Sequence, residues 1–239
     1  MLETDERNIE TVKSNRATRP RIDVDIRGVK VIIPEGSGLD PEELIEEKRD
    51  WIEEKLEQFE KHREKIPERR FEEGAEWPYL GENHLIELDD SLNGRMGERR
   101  NGGEDFGRIV LNRNKTEKNS IREELEHFYR EHAREYITEL VEKWSDKLNV
   151  TYDKLYIRNQ RTKWASCSGK SNLSFNFRLM MAPPEIIEYI VIHELCHLKH
   201  PNHGAKFDRL LARKCKNYRE HEQWLDENSV KLIFTEEDL

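Results

Sequence analysis

The stretch from His193 to His203, which reads HELCHLKHPNH, constrains the fold more than any other part of this sequence. Two histidines four residues apart on a helix are offset by only ~40° around the axis, so the imidazoles of His193 and His197 project from one face. Such a pair suits two ligands of a tetrahedral zinc ion. Glu194 lies beside that face and can reach a metal-bound water rather than the metal. The motif therefore predicts a helix that carries a metal site and its own general base.

A third ligand is expected just beyond the end of this helix. His203 lies six residues after His197, and in a continuous helix six residues would turn it by ~600°, away from the metal. Pro201 has no N–H and disfavours helical geometry at the residue before it, so the chain is expected to leave the helix and fold back. His193, His197 and His203 would leave a fourth position for water, as in a catalytic zinc site. His200 is interpreted as an exposed histidine at the helix end.

Composition and charge limit the classes of protein to which this chain can belong. Its 239 residues suffice for one large domain or a domain with an appendage, and the net charge of −9 predicts no domain-wide basic patch. Nucleic-acid binding is therefore not favoured. No apolar run approaches the ~18–20 residues of a membrane span, so no membrane partner is expected. The three cysteines lack a CxxC spacing, which is typical of a reducing compartment and predicts a cytoplasmic protein.

The hydrophobic patterns divide the chain into four predicted segments. Residues 1–19 are polar and charged without periodicity, so a flexible N-terminal tail is expected. Residues 20–115 are expected to hold an N-terminal β-hairpin, a helix and short strands. Residues 116–234 are expected to form the catalytic core. Residues 235–239 form an acidic tail that is expected to fray.

Within residues 20–115, alternating apolar residues at 21–33 around Gly28 predict the β-hairpin. Asp40 as N-cap and Pro41 at the first helical position predict a helix to about Lys65. Short strands are expected within 80–88 and 106–111, joined by a flexible hairpin tip at 91–105 that is rich in Gly, Asn and Arg.

The predicted core begins with its longest helix, at 118–147, whose apolar residues recur every three or four positions and whose N-cap is Asn119 or Ser120. A strand is expected at 150–159 and a polar loop at 160–170. Alternating residues at 172–179 predict a half-exposed strand, and Pro184 can start the motif helix.

Five stretches resemble the YgjP-like metallopeptidase family, which is related to SprT-like and other zincin-type peptidases. They are RNQRTKWASCS from Arg158, NLSFN from Asn172, PEIIEY from Pro184, HELCH from His193 and NHGAKF from Asn202. The specific match covers about residues 150–210. Two positions depart from the family pattern, Ala165 where Gly is usual and Gly204 where Ser is frequent.

This resemblance implies a zinc metallopeptidase that hydrolyses peptide bonds. His193, His197 and His203 would bind one Zn²⁺ per chain, Glu194 would be the catalytic base, and the substrate would be a peptide or protein. The implied fold is an α+β, zincin-like domain with a small mostly antiparallel sheet, an active-site helix and a long packing helix.

Two other functions remain open at the level of sequence. One is a zinc-stabilised interaction module without turnover, associated with protein or with DNA through a local basic surface. The retention of Glu194 weighs against this module, because a purely structural site needs no base. The other is hydrolysis of a non-peptide amide. The residues of the local basic surface would be Arg158, Arg161, Lys163 and Lys170.

Several supporting roles are also left open. The strand Asn172–Phe177 is either an edge that pairs with an extended substrate or an ordinary sheet edge. An oxyanion helper is expected, with Arg161, Asn202 and Tyr189 as unranked candidates. Trp164, in the loop that also carries Ser166, is either a packing anchor or a substrate platform.

Overall fold

The computed structural model describes residues 9–15, 17–25, 28–63, 67–90, 97–99, 107–235 and 238. These residues form helices and three small sheets, which confirms the predicted α+β class. The chain divides after Pro67 into two compact units. The predicted boundary at 115/116 differs from this division, because Trp77 and Ile109 lie in the same hydrophobic core as the later helices. No helix of the described residues is both long and apolar enough to cross a membrane.

The first unit is a three-stranded sheet with two helices. Its elements are β1 (Ile9–Ser14), β2 (Arg21–Asp25), β3 (Gly28–Pro34), α1 (Pro41–Glu47) and α2 (Arg49–Arg63). Strands β2 and β3 form the predicted antiparallel hairpin, and their small core centres on Val31, Ile33 and Ile52.

The structure corrects the predicted tail at residues 9–14. These residues form β1, which pairs in parallel with β3 from Ile9 opposite Val29 onwards. The sequence lacks an alternating apolar pattern here because β1 is largely exposed, and backbone hydrogen bonds rather than side-chain burial define the strand. Residues 1–8 lie outside the described part of the chain.

The predicted helix from Asp40 is confirmed at its start and divided further on. The Asp40 side chain accepts a hydrogen bond from the backbone N–H of Glu42 at 2.9 Å, as expected of an N-cap. Helix α1 ends at Glu47, and α2 begins after Lys48. Residues 64–66, where the helix was predicted to end, lie outside the described residues.

The second unit holds the remaining seven strands and five helices that the described residues form. The strands are β4 (Glu76–Tyr79), β5 (Glu82–Asp89), β6 (Gly97–Arg99), β7 (Gly107–Asn112), β8 (Leu155–Arg158), β9 (Ala165–Cys167) and β10 (Leu173–Asn176). The helices are α3 (Arg113–Lys118), α4 (Ile121–Leu148), α5 (Pro184–His197), α6 (Ala205–Lys214) and α7 (Tyr218–Asn228). Two 3-10 turns, Phe177–Met181 and Ser229–Leu232, follow β10 and α7.

Strands β4, β5, β7 and β6 form one sheet in that order. The predicted hairpin connection between the strands of 80–88 and 106–111 is wrong, because β5 and β7 run parallel. Strand β6 interrupts the connection and pairs antiparallel with β7. The rest of the predicted hairpin tip, 91–96 and 100–105, lies outside the described residues.

Helix α4 is the long packing helix that the sequence predicts. Ser120 and Glu123 form a capping box at its start, each side chain binding the backbone N–H of the other residue. Phe128, Tyr129 and Ile137 are fully buried along its length. The helix therefore anchors the core against which the motif helix packs.

The sheet beside the motif helix has the order β8-β10-β9. Strand β10 pairs in parallel with β8 and antiparallel with β9, so both of its edges are occupied. The predicted role of Asn172–Phe177 as a sheet edge is therefore wrong. Alternating burial alone does not reveal how many neighbours a strand has. The edge that adjoins α5 belongs to β9.

The predicted acidic tail is fixed at one described position. Asp238 is 6% exposed and accepts a hydrogen bond from Asn159 Nδ2 at 2.7 Å and from the Thr235 backbone N–H at 2.9 Å. The charge-rich composition of the tail does not predict this contact, because a buried carboxylate is stabilised by partners that are distant in sequence. Residues 236, 237 and 239 lie outside the described part of the chain.

Candidate metal centre

Helix α5 presents the HELCH motif from a buried position. It starts at Pro184 as predicted, and Ile187, Val191 and Leu195 on it are fully buried. After His197 the backbone tightens to i to i−3 hydrogen bonds, with Leu198 donating to the Leu195 carbonyl at 3.2 Å and Lys199 to the Cys196 carbonyl at 3.1 Å. The helical path ends there, as the proline two residues further on predicts.

The chain then folds back, so that three imidazoles converge. His203 Nε2 lies 3.0 Å from His193 Nε2. The ligating atoms available on His193, His197 and His203 all lie within 4.8 Å of one another. Within the described residues, this is the one group of three or more His, Cys, Asp or Glu side chains close enough to hold a metal ion. The predicted trio is thus brought together.

The protonation chemistry of the trio fits a cation site. Burial, reinforced by the charges of His197 and His203, lowers the pKa of His193 to about 4. Burial also lowers the pKa of His197. Both rings are therefore neutral near pH 7, with a lone pair available for a metal. His197 Nδ1 lies 3.2 Å from the His200 carbonyl oxygen, which suits donation from Nδ1 and leaves Nε2 as the ligand.

Phe207 of α6 packs against all three imidazoles. Its ring centroid lies 5.0 Å from that of His193, 4.6 Å from that of His197 and 4.8 Å from that of His203. The ring stacks on His197 and meets the other two edge to face, and its side chain is 2% exposed. Sequence reasoning gave Phe207 no role, because its spacing from the motif indicates only another apolar helix position.

Glu194 lies in a largely desolvated position beside the trio. It is 7% exposed, and burial raises the pKa of its carboxyl group to about 7. Two groups act in the opposite direction on this pKa, the backbone N–H of Cys167, which hydrogen-bonds to the carboxylate, and the charge of Lys163. Strand β9 therefore contacts the carboxylate that the motif singles out.

Two buried residues hold the loop that leads into β9. Asn176 Nδ2 donates to the Gln160 carbonyl at 2.7 Å, and Arg178 Nη2 donates to the same oxygen at 2.9 Å. The Arg178 guanidinium also lies over the Trp164 ring, 5.2 Å from its centroid. Arg178 is only 3% exposed. An arginine at this position in the predicted strand read as solvent-facing, and the sequence carried no signal of its burial.

The structure also bears on the residues whose roles the sequence left open. Trp164 is half-buried beneath Arg178, as a packing anchor is expected to be. Tyr189 is 5% exposed, and its ring packs between His193 and His221 at 5.9 and 5.8 Å. Arg161 and Asn202 are exposed. An oxyanion role for Arg161 or Asn202 stays a prediction, whereas packing accounts for Tyr189.

The comparison with known families matches the YgjP-like metallopeptidase domain over residues 18–228. The chain belongs to the YgjP-like metallopeptidase family. Membership confirms the predicted metallopeptidase class and implies a metal ion and a peptide or protein substrate. No curated protein matches the chain.

Two solved structures are similar to part of this YgjP-like protein. The metallopeptidase zymogen of Methanocaldococcus jannaschii jannalysin shares 28% identity over 39% of this chain and 96% of its own, with a TM-score of 0.35. The metallopeptidase zymogen of Pyrococcus abyssi abylysin shares 22% identity over 41% of this chain and 99% of its own, with a TM-score of 0.36. These scores are too low to establish a shared overall fold.

Proposed function

We propose that this protein is a zinc metallopeptidase in which His193, His197 and His203 hold one Zn²⁺ and Glu194 is the general base. The observation that carries the proposal is the convergence of three imidazoles beside a buried carboxylate. Three histidine nitrogens favour zinc over Mn²⁺ or Co²⁺, and three protein ligands leave a position open.

The metal, when bound, would supply a Lewis acid that lowers the pKa of a water towards ~7 and polarises the scissile carbonyl. Glu194 would accept the proton of the attacking water and deliver it to the leaving amine. The backbone N–H of Cys167 fixes the carboxylate for both transfers. A module without turnover would not need a buried carboxylate at this place, which favours the enzyme.

The free edge of β9 is the part of the sheet best placed to bind an extended peptide. Asn176 N–H donates to the Trp164 carbonyl and Ser168 N–H to the Asn172 carbonyl, so these residues of the 164–168 segment face β10. Ala165 and Cys167 alternate with them and direct their backbone groups outward. Because the Cys167 N–H is bound to Glu194, Ala165 would offer the N–H and carbonyl that pair with substrate.

The test is mass spectrometry of a peptide library incubated with zinc-loaded wild type and with zinc-loaded Glu194→Gln. The variant should retain one zinc, because Glu194 is not a proposed ligand, and should lose cleavage by roughly 10²–10⁴-fold. A chelator should abolish wild-type cleavage, and added zinc should restore it. Equal cleavage by both proteins would refute Glu194 as the base, and zinc binding without cleavage by either would favour the interaction module.

A further inference from the structure

One continuous segment of this acidic chain contains no acidic residue. Residues 154–184 include six Lys and Arg and no Asp or Glu, whereas the other residues include 35 basic and 50 acidic ones. This segment supplies β8, β9 and β10 and the loops between them. The acid-free segment therefore forms the sheet that lies beside Glu194.

The cations of the acid-free segment are concentrated around β9. Lys163 lies two residues before the strand and Lys170 three residues after it, and both are exposed. Among the residues that the structure describes, no carboxylate lies within ion-pair distance of either ammonium group. Lys163 is close enough for its charge to act on Glu194.

The acidic groups near this sheet form no ion pair with Lys163 or Lys170 among the described residues. Asp153 lies just before β8, and its backbone N–H binds the Ser171 carbonyl at 2.9 Å, but its carboxylate makes no ion pair with Lys170. Asp238 is buried, binds Asn159 and acts electrostatically on the buried Arg178. Glu188 of α5 is bound to Lys143 and Trp144 of α4. The exposed ammonium groups at the two ends of β9 thus remain available to a ligand of opposite charge.

We propose that this enzyme selects acidic peptides, with Lys163 and Lys170 binding Asp or Glu side chains on either side of the segment that pairs with β9. The inference rests on the proposed peptidase function, since it assigns the substrate class of that same site. A peptide laid along β9 has its reacting bond near Glu194 and its flanking residues near the two lysines. Opposite charges at these ends would raise the rate of encounter and fix the register.

The structure favours an acidic peptide over a nucleic acid. Single-stranded nucleic acids bind by stacking bases on exposed aromatic rings along a basic groove. Here Arg158 covers one face of Tyr156 at 4.8 Å, and Arg178 covers one face of Trp164 at 5.2 Å. The net charge of −9 would repel a long polyanion that extended beyond β9.

The first experiment measures binding without turnover. Zinc-loaded Glu194→Gln is titrated into fluorescein-labelled ten-residue peptides that differ only in carrying Asp, Asn or Lys at the outer positions, and anisotropy is followed across salt concentrations. The Asp peptide should bind roughly 2- to 25-fold more tightly than the Asn peptide, as expected of two exposed ion pairs, and the difference should shrink as salt rises. Equal affinities for the Asp and Asn peptides would overturn the proposal.

Charge-reversal variants assign the effect to residues. Lys163→Glu with Lys170→Glu should abolish the Asp preference and favour the Lys peptide. The control Lys118→Glu with Lys231→Glu makes the same two charge reversals at exposed positions of α3 and of the last 3-10 turn, and should leave the preference unchanged. Because each variant is compared with itself across the peptides, a general loss of affinity cancels. Loss of the Asp preference in the control variant would attribute it to net charge and would overturn the proposed subsites.

Two further outcomes separate this inference from its rivals. If a labelled ten-nucleotide single strand bound more tightly than the Asp peptide, the ligand of Lys163 and Lys170 would be a nucleic acid and the acidic-peptide proposal would be refuted. Cleavage of the peptide library without any Asp preference in binding would support the peptidase function and refute the preference for acidic peptides. Asp-selective binding without any cleavage would refute the peptidase function but would support the anion-binding site at Lys163 and Lys170.

Discussion

The two regions that meet at Glu194 differ in how they are built. The histidine cluster comes from eleven consecutive residues, from His193 to His203, and its geometry follows from one helix and one break. The other region is the sheet β8-β10-β9, which we call the wall of the site. It is assembled from separate segments of the chain, and Asn176 and Arg178 hold the loop between them. The structure of the histidine cluster is determined by residues close in sequence, and that of the wall by contacts between distant residues. Substitutions in one region should therefore change metal binding without changing the wall, and substitutions in the other should do the reverse.

The largest effect is expected from removing one of the three proposed zinc ligands of the cluster. His203→Ala should weaken zinc binding by more than the roughly 10–100-fold that follows loss of an outer hydrogen-bond partner, and cleavage should disappear. Stoichiometry by elemental analysis and competition with a chromophoric chelator measure the affinity. His200→Ala is the matched control, since its carbonyl and not its ring contacts His197, and it should bind zinc like wild type. Equal loss in both variants would refute the three-histidine site.

The wall should respond differently, losing stability and activity while retaining metal. Arg178→Met removes the buried guanidinium that binds the Gln160 carbonyl and the positive charge that acts on Asp238, so the unfolding free energy should fall by about 3 kcal/mol. Urea denaturation measures that cost, and cleavage by the folded fraction should fall as well. Arg158→Met is the control, because Arg158 is the exposed residue at the end of β8. Unchanged stability in the Arg178 variant would show that Asn176 alone holds the loop.

The difference between the regions also explains what could be predicted from the sequence. The convergence of His193, His197 and His203 was predictable because helix periodicity and the effect of Pro201 act over a few residues. The Asp40 and Ser120 caps were predictable for the same reason. Family membership was predictable from short motifs in a single stretch of the chain.

The wall was not predictable by the same reasoning. The alternation of Leu173 and Phe175 indicates a strand, but it does not indicate that β10 lies between β8 and β9. The sequence predicts a half-exposed strand around Arg178 and a frayed tail at Asp238, and it does not predict the burial of either charge, because burial of a charge depends on partners more than a dozen residues away. The sequence predicts a tail where β1 forms, because the pairing of β1 uses backbone groups that every residue has.

A smaller effect is expected at the packing of the cluster itself. Phe207→Leu keeps an apolar side chain but removes the aromatic contacts to the three imidazoles, so zinc affinity should fall about tenfold, like loss of an outer-shell partner. Cobalt substitution would report the altered geometry in its visible spectrum. Phe234→Leu is the control, because Phe234 is equally buried against Trp77 and Phe177 and makes no ring contact with a histidine of the described residues. A similar fall in both variants would attribute the change to general destabilisation.

The smallest effect is expected at the N-cap of α4, which is formed by residues close in sequence, like the histidine cluster, but lies away from the proposed catalytic residues. Ser120→Ala removes the side chain that caps α4, so the unfolding free energy should fall by about 1 kcal/mol. Ser120→Asp retains an acceptor for the Glu123 N–H and should restore most of that loss. Zinc affinity and cleavage by the folded protein should stay unchanged in both, because the cap contacts neither α5 nor β9. A change in zinc affinity would mean that the start of α4 is coupled to the cluster, and that the cluster is less local than its eleven residues indicate.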